Sequence, residues 1–279
     1  MILFKHSGDL TGWLDQIKAS GHSIGFVPTM GALHAGHISL ISISKKETDL
    51  TVCSIFVNPT QFNDPNDFRK YPVTLEKDIA LLETAGADIL FLPEVEELYP
   101  DGTAGLEHYD LGSLATLLEG KYRPGHFQGV CQVMNRLLTI VRPHHLFMGR
   151  KDYQQCMVIQ RLLTLMGLPT QLHRCPIVRE PDGLAMSSRN LRLDQTQRAH
   201  ATAIYHALLW LRNNWRISPA SALVQAEAIL KKSDFRIDYI SVADADTLAQ
   251  IADPANAAAA VALIAAFQGD VRLIDNMIL

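Results

Sequence analysis

At 279 residues, with 48% hydrophobic and 19% charged side chains, the chain has the length and composition of an ordinary globular protein, either one large domain or two modest ones. A formal net charge of −4 and the lack of a basic run exclude a broad nucleic-acid footprint. The longest uniformly apolar stretch, Ala257 to Phe267, is far shorter than the ~20 residues of a membrane span, and the N-terminus has no signal-peptide pattern, so a cytoplasmic protein without membrane partners is expected.

In chain order, the apolar run Ile24 to Val27 leads into Pro28-Thr29-Met30-Gly31-Ala32-Leu33-His34-Ala35-Gly36-His37 and then an amphipathic run, Ile38 to Ile43. That order predicts strand, glycine-containing loop and helix. Leu50 to Val57 reads as a buried strand. Leu75, Ile79 and Leu82 stand at helical spacing within Thr74–Thr84, and Gly86 is placed to cap that helix. Asp88 to Leu92 is the next strand, stopped by Pro93. A helix over Val130–Val141, a strand over His145–Met148, a helix over Asp152–Met166 ending at Gly167 and a strand over Thr170–Cys175 follow. Strands alternating with helices of this length predict a mostly parallel sheet, with ligands beyond the carboxyl ends of the strands, where the unusual loops all fall.

The pattern changes between Pro176 and Asn190. Helical runs Thr196–Arg212 and Ala220–Lys232 come next, then strands Ile237–Val242, Val261–Phe267 and Val271–Ile274, which predict a smaller α+β domain. The alanine-rich stretch Ala255 to Ala262 is too short to count as low complexity. Cys53, Cys131, Cys156 and Cys175 lie far apart without a Cys-x-x-Cys pair, so no zinc cluster or disulfide framework is expected. Cys53 and Cys131 read as small buried hydrophobes.

Several loops could carry chemistry. Helix N-termini attract phosphate through unpaired N–H groups and the positive dipole end, and His34 and His37 could donate to phosphate oxygens there. The same pair could be a plain helix cap, or a metal pair lacking a third ligand. Asn58-Pro59 forms a turn, yet Asn58 and Gln61 could direct amides into a crevice. Glu119 to Phe127 reads as an exposed loop from which Arg123 could reach an anion. Gly149 permits a close backbone approach, Lys151 offers a point charge for phosphate and Asp152 can cap the next helix. Gln154 and Gln155 diverge on that helix, so at most one faces a ligand, and spacing leaves open which. Pro181-Asp182-Gly183 is a turn. Beyond it, Met186-Ser187-Ser188-Arg189 gathers two hydroxyls and a guanidinium that could grip a triphosphate, and reads equally as the N-cap of a following helix. Tyr205, Trp210 and Trp215 read as core or interface.

Together, Pro-Thr-Met-Gly-Ala-Leu-His-x-Gly-His, Phe-Val-Asn-Pro-x-Gln-Phe, Arg-Pro-x-His-Phe, Gly-x-Lys-Asp-x-Gln-Gln and Asp-Gly-Leu-Ala-Met-Ser-Ser-Arg-Asn occur in that order. The set closely resembles the pantoate–β-alanine ligase family, the pantothenate synthetases, through nearly the whole chain, including the tail Gly269 to Asn276. His-x-Gly-His and Met-Ser-Ser-Arg are similar to the paired nucleotide motifs of the wider superfamily of class I aminoacyl-tRNA synthetases and nucleotidylyltransferases. The resemblance implies an α/β fold with a Rossmann-like ATP- and pantoate-binding domain over residues 1–176. A smaller α+β C-terminal lid and dimer-adjacent domain over 177–279 would complete a homodimeric enzyme. It implies that (R)-pantoate and ATP form pantoyl adenylate and pyrophosphate, and that β-alanine then gives pantothenate and AMP. Mg2+ would accompany ATP, with its protein ligands unassigned.

By the same resemblance Met30, Gly31, Ala32, Leu33, His34, Ala35, Gly36 and His37 hold ATP, with both histidines on the phosphates. Gly149, Arg150, Lys151 and Asp152 contact the nucleotide, Val178 its adenine, and Met186, Ser187, Ser188 and Arg189 its triphosphate. Gln61 and Gln155 bind pantoate, Asn58 shapes its pocket and Arg123 lies near the pantoate or phosphate end. The catalytic donors would be His37, His34, Lys151, Ser187, Ser188 and Arg189. Two departures stand out: Thr60 where Met is common, and Arg150 where Glu is usual. The competing readings are a nucleotidylyltransferase that transfers AMP or CMP to a phosphorylated substrate and stops, and a non-catalytic nucleotide-binding regulator.

Overall fold

The strands of the first 175 residues are β1 (Ile2–Phe4), β2 (Ile24–Thr29), β3 (Leu50–Ile55), β4 (Ile89–Phe91), β5 (His145–Gly149) and β6 (Gln171–Cys175). They pair in the order β1-β4-β3-β2-β5-β6, every pairing parallel. The structure is a computed structural model and describes residues 1–251, 254 and 257–279. It divides into two compact units, Met1–Arg150 with Gln154–Pro176, and Lys151–Tyr153 with Ile177–Leu279.

In the first unit the central strands β2, β3, β4 and β5 are largely buried because both faces of the sheet are covered. Phe26, Val52, Ile89 and Leu146 enter one core with Leu10 and Leu14 of α1 (Ser7–Ala19) and with α7 (His126–Val141) and α8 (Tyr153–Leu165). Their chain neighbours Val27, Cys53, Leu90 and Phe147 enter a second core with Ile41 of α2 (Ala35–Glu47) and Leu82 of α4 (Leu75–Ala85). From β2 the chain steps outward to β3 and β4, then returns to the other side of β2 with β5. The carboxyl ends of β2 and β5 therefore flank a topological switch point, where open α/β sheets bind ligands.

Several expectations are corrected. β1 and α1 carry no clear signal in the sequence, because β1 is a short, largely exposed edge strand. Between β3 and α4 lies α3 (Pro65–Arg69), and after β4 come α5 (Val95–Leu98) and α6 (Leu118–Tyr122). The segment expected as an exposed loop over Glu119–Phe127 is instead α6 and the start of α7, with Glu119, Gly120, His126 and Phe127 buried. α7 thus begins at His126 rather than Val130, because the polar side chains at its start are paired inward.

In the second unit the single helix expected over Thr196–Arg212 is two, α9 (Gln195–His200) and α10 (Ala203–Asn214). A capping box between Asp194 and Gln197 starts the first. With α11 (Pro219–Lys232), α10 packs Leu208, Leu211, Ala226 and Leu230 against Ala262 and Ile264. Those two residues belong to a three-stranded antiparallel sheet, β7 (Phe235–Asp244), β8 (Ala260–Gln268) and β9 (Val271–Ile278). β9 runs to Ile278, past the expected end at Ile274, because Asp275 and Asn276 interrupt the apolar pattern but are buried as strand residues. Of the alanine-rich stretch, Ala255 and Asn256 lie outside the described residues. All four cysteines are buried free thiols. No helix among the described residues is long and apolar enough to cross a membrane.

Candidate active site

Where β2 ends, the Thr29 hydroxyl donates to Ser54 O (2.8 Å) and accepts from Gly31 N (3.2 Å). Gly31 and Ala32 then take positive φ values of 79° and 48°. Gly31 suits that conformation for want of a Cβ, whereas Ala32 is strained in it and must be held there. The holding group is Asp78 of α4, only 1% exposed. Its carboxylate accepts from Ala32 N and Leu33 N, both at 2.8 Å, and from Thr74 Oγ1 at 3.0 Å. Asp78 was absent from the sequence-based candidates.

The loop delivers two histidines to the start of α2. His34 is the N-cap, and its Nδ1 accepts from Gly36 N at 3.1 Å. His37 Nδ1 accepts from His34 N at 3.4 Å, and the two rings lie 4.1 Å apart between centroids. A ring nitrogen that accepts an N–H carries no proton, so in the neutral rings the proton sits on Nε2. The cap reading and the phosphate-donor reading are therefore compatible, since the capping contacts use Nδ1 and put the ring proton on Nε2. Among the described residues no group of three or more His, Cys, Asp or Glu side chains could hold a metal ion.

Beyond β3 the Asn58-Pro59 turn is a short 3₁₀ segment, Pro59–Gln61. Asn58 is 1% exposed and anchored by Tyr99, while Gln61 Nε2 donates to Met30 Sδ at 2.7 Å. Gln61 thus meets the histidine loop at Met30. Arg123 joins the same neighbourhood through His126. His126 Nδ1 donates to Gln61 O (2.8 Å), and its Nε2 accepts from Arg123 Nη1 (3.0 Å). Arg123 also donates to Asn63 and stands 3.7 Å from Glu119.

The structure decides between the adjacent glutamines. Gln154 is 1% exposed, accepts from Glu119 N and donates to Leu114 O and Leu117 O, so it is a structural tie. Gln155 is half-buried and remains the ligand candidate. At the end of β5 a Cβ on Gly149 would meet nothing within 4 Å, and Arg150 N donates to Cys175 O. A cavity of about 430 Å³ lies on the β3–β4 side of the histidine loop, bordered by Met30, Ala32, Phe56, Thr74, Asp78 and Pro93 among others.

The remaining candidates belong to the second unit. Val178 and Met186 face each other in a hairpin, Met186 N donating to Val178 O at 3.0 Å, around the expected Pro181-Asp182-Gly183 turn. Gly183 has φ 94°, and a Cβ there would come within 2.0 Å of the Tyr205 ring. Ser187 Oγ accepts from Arg189 N (3.3 Å) and caps the 3₁₀ turn Ser188–Arg192, so its capping role is real. Ser188 is buried and Arg189 half-buried. Lys151 and Asp152 are half-buried, and Lys151 O accepts from Asn276 Nδ2 at 2.8 Å. Arg179, which the sequence reading does not single out, grips Asp275 with both terminal guanidinium nitrogens, Nη1 and Nη2 (2.5 and 3.1 Å), and donates to Asn276 O. Burial pushes the Asp275 carboxyl above its ordinary pKa, against the pull of Arg179.

Comparison with known proteins gives one consistent result. The family model described as pantoate-beta-alanine ligase matches residues 2–278. A pantothenate synthetase from Bacteroides fragilis is 44% identical over 272 residues, 96% of this chain and 95% of that protein. One from Porphyromonas gingivalis is 42% identical over 279 residues, 99% of each. Among solved structures, pantothenate synthetase from Thermus thermophilus aligns with a TM-score of 0.91 at 40% identity, covering 99% of both chains. A Francisella tularensis pantoate-beta-alanine ligase complexed with beta-gamma ATP and beta-alanine aligns at 0.84 and 38% identity, covering 99% of this chain and 97% of that one.

Proposed function

This chain belongs to the pantoate-beta-alanine ligase family, and we propose that it carries out the family's reaction with the side chains described above. It is an ATP-dependent ligase that condenses (R)-pantoate with β-alanine to pantothenate, AMP and pyrophosphate through a pantoyl adenylate. The observation that carries the residue assignment is the histidine loop at the switch point, whose capping hydrogen bonds set both rings as Nε2–H donors.

In the first step a pantoate carboxylate oxygen attacks the α-phosphorus, and the bond to the bridging oxygen of pyrophosphate breaks with its electron pair leaving on pyrophosphate. Such a displacement needs in-line positioning and charge neutralisation, not a protein nucleophile. We assign His34 and His37, with the α2 N-terminus, to the phosphates, and Met30 to Gly36 to the nucleotide. Gly149, Arg150, Lys151 and Asp152 are assigned to the nucleotide, Val178 to adenine, and Met186, Ser187, Ser188 and Arg189 to the triphosphate. Gln61 and Gln155 hold pantoate, with Asn58 and Arg123 supporting that end. In the second step the β-alanine amine attacks the acyl carbon, AMP leaves, and the amine loses a proton.

Mg2+ is proposed to arrive with ATP. Lacking a ready cluster of protein ligands among the described residues, it would be held chiefly by phosphate oxygens, where it supplies charge neutralisation. A cytoplasmic location and a homodimer are also proposed. The buried free thiols fit a reducing compartment.

The test is isotope exchange between pyrophosphate and ATP. The expected result is exchange that requires pantoate, with pantothenate appearing when β-alanine is added. Exchange driven by a phosphorylated substrate instead would favour a nucleotidylyltransferase, and ATP binding with no pyrophosphate release would favour a regulator.

A further inference from the structure

Asn58 is held in one orientation by a group that can only accept. Its Nδ2 faces the carbonyl of Gly129 at 3.1 Å, so Oδ1 must point the other way. There it receives the Tyr99 hydroxyl at 2.8 Å, and more loosely the Thr60 hydroxyl at 3.1 Å. The second Nδ2 hydrogen meets Gln61 Oε1 at 3.3 Å. Gln61 therefore turns its carbonyl oxygen back toward Asn58 and its NH2 outward, where it now rests on the Met30 thioether. A thioether sulfur is a weak acceptor, readily replaced by a carboxylate or hydroxyl oxygen. Tyr99 is itself fixed: it is 2% exposed, and the Arg136 guanidinium lies 4.5 Å from its ring centre. Burial raises its phenol above the ordinary value, so it remains a donor across the neutral range.

We propose that Tyr99 is a positioning residue for pantoate recognition, acting through a one-way hydrogen-bond relay, Tyr99 to Asn58 to Gln61, that presents Gln61 as a donor to a substrate oxygen. The proposal rests on the reading that Gln61 binds pantoate. Thr60 also enters the relay, its hydroxyl donating to Asn58 Oδ1 beside Tyr99. The site thereby favours a ligand rich in acceptor oxygens and disfavours one offering an amide or amine at that position.

Tyr99→Phe removes the hydroxyl but keeps the ring over Arg136. The expected result is a roughly tenfold rise in KM for pantoate with KM for ATP unchanged, the size expected for one hydrogen bond. A merely structural role would lower the unfolding midpoint without separating the two KM values. In a Gln61→Ala background, Tyr99→Phe should weaken pantoate binding no further. A wild-type KM in Tyr99→Phe, or a loss that adds fully to that of Gln61→Ala, would overturn the relay while leaving Gln61 a ligand. An unchanged pantoate KM in Gln61→Ala would overturn the pantoate assignment and the relay with it. Should Tyr99→Phe fold poorly, Asn58→Asp puts an acceptor where Gln61 now meets a donor and should weaken pantoate binding more strongly. Pantoate bound by Asn58→Asp as tightly as by the wild type, measured by calorimetry, would also defeat the relay.

Discussion

In the proposed mechanism His34 and His37 each serve structure and chemistry at once. Each spends Nδ1 on the backbone near the start of α2, leaving the ring proton on Nε2. On that assignment His37→Ala removes one donor to developing phosphate charge, worth about 3–4 kcal/mol of transition-state stabilisation, or 10²–10³ in rate. Single-turnover formation of pantoyl adenylate should slow by that factor, with the pantoate Kd nearly unchanged. A comparable prediction concerns Asp275, which is 5% exposed and paired with Arg179. Asp275→Ala leaves that guanidinium without its buried partner and should cost about 3–5 kcal/mol in urea unfolding. His34, His37, Asn58 and Gln61 were legible from residue type and their position at loop–helix junctions. Asp78 and Tyr99 were not, because Asp78 lies 45 residues from Leu33 and Tyr99 lies 41 from Asn58. No local pattern records such a pairing.

At the scale of elements, α1 shows a cap borrowed from elsewhere. Its own N-cap, His6, makes no side-chain capping bond. Glu97 of α5 instead accepts from Ser7 N at 2.8 Å, from the Ser7 hydroxyl, and pairs with His6. The Ser7 hydroxyl and then its N–H hold the Glu97 carboxyl down at about 2, against an ordinary 4.5. A carboxylate whose folded pKa is depressed stabilises fully above its unfolded value and loses that contribution as pH falls through the folded one. Glu97→Ala should therefore cost about 1 kcal/mol near pH 7, and its difference from wild type should shrink between pH 4.5 and 2 in denaturant titrations. The histidine loop depends in the same way on α4. Asp78→Asn keeps the shape but offers one acceptor oxygen where two N–H groups now bond, and should reduce adenylation without lowering pantoate affinity in parallel. Periodicity revealed α4 and α8. It missed α6, whose short run of mixed charge resembles a solvated loop although Glu119 is buried beside Arg123 and Gln154.

For the whole molecule, the parallel sheet and the change of pattern after Pro176 followed from the alternation of apolar runs. The proposed homodimer predicts a mass twice the chain's 30.9 kDa by light scattering, and a monomer at micromolar concentrations would remove that proposal. The sequence by itself determined the fold class, the family and the loops that follow β2, β3 and β5, because hydrophobic period and short motifs are local properties of a chain. Strand order was left to the tertiary structure, since nothing local states that β5 returns beside β2 and creates the switch point. Tertiary packing also decided that Gln154 is a tie and Gln155 the ligand candidate, because adjacent residues of a helix are separated only by what surrounds them. The donor sense of Gln61 was likewise settled there, since an amide's orientation is set by the carbonyl, hydroxyl and amide that packing brings against it.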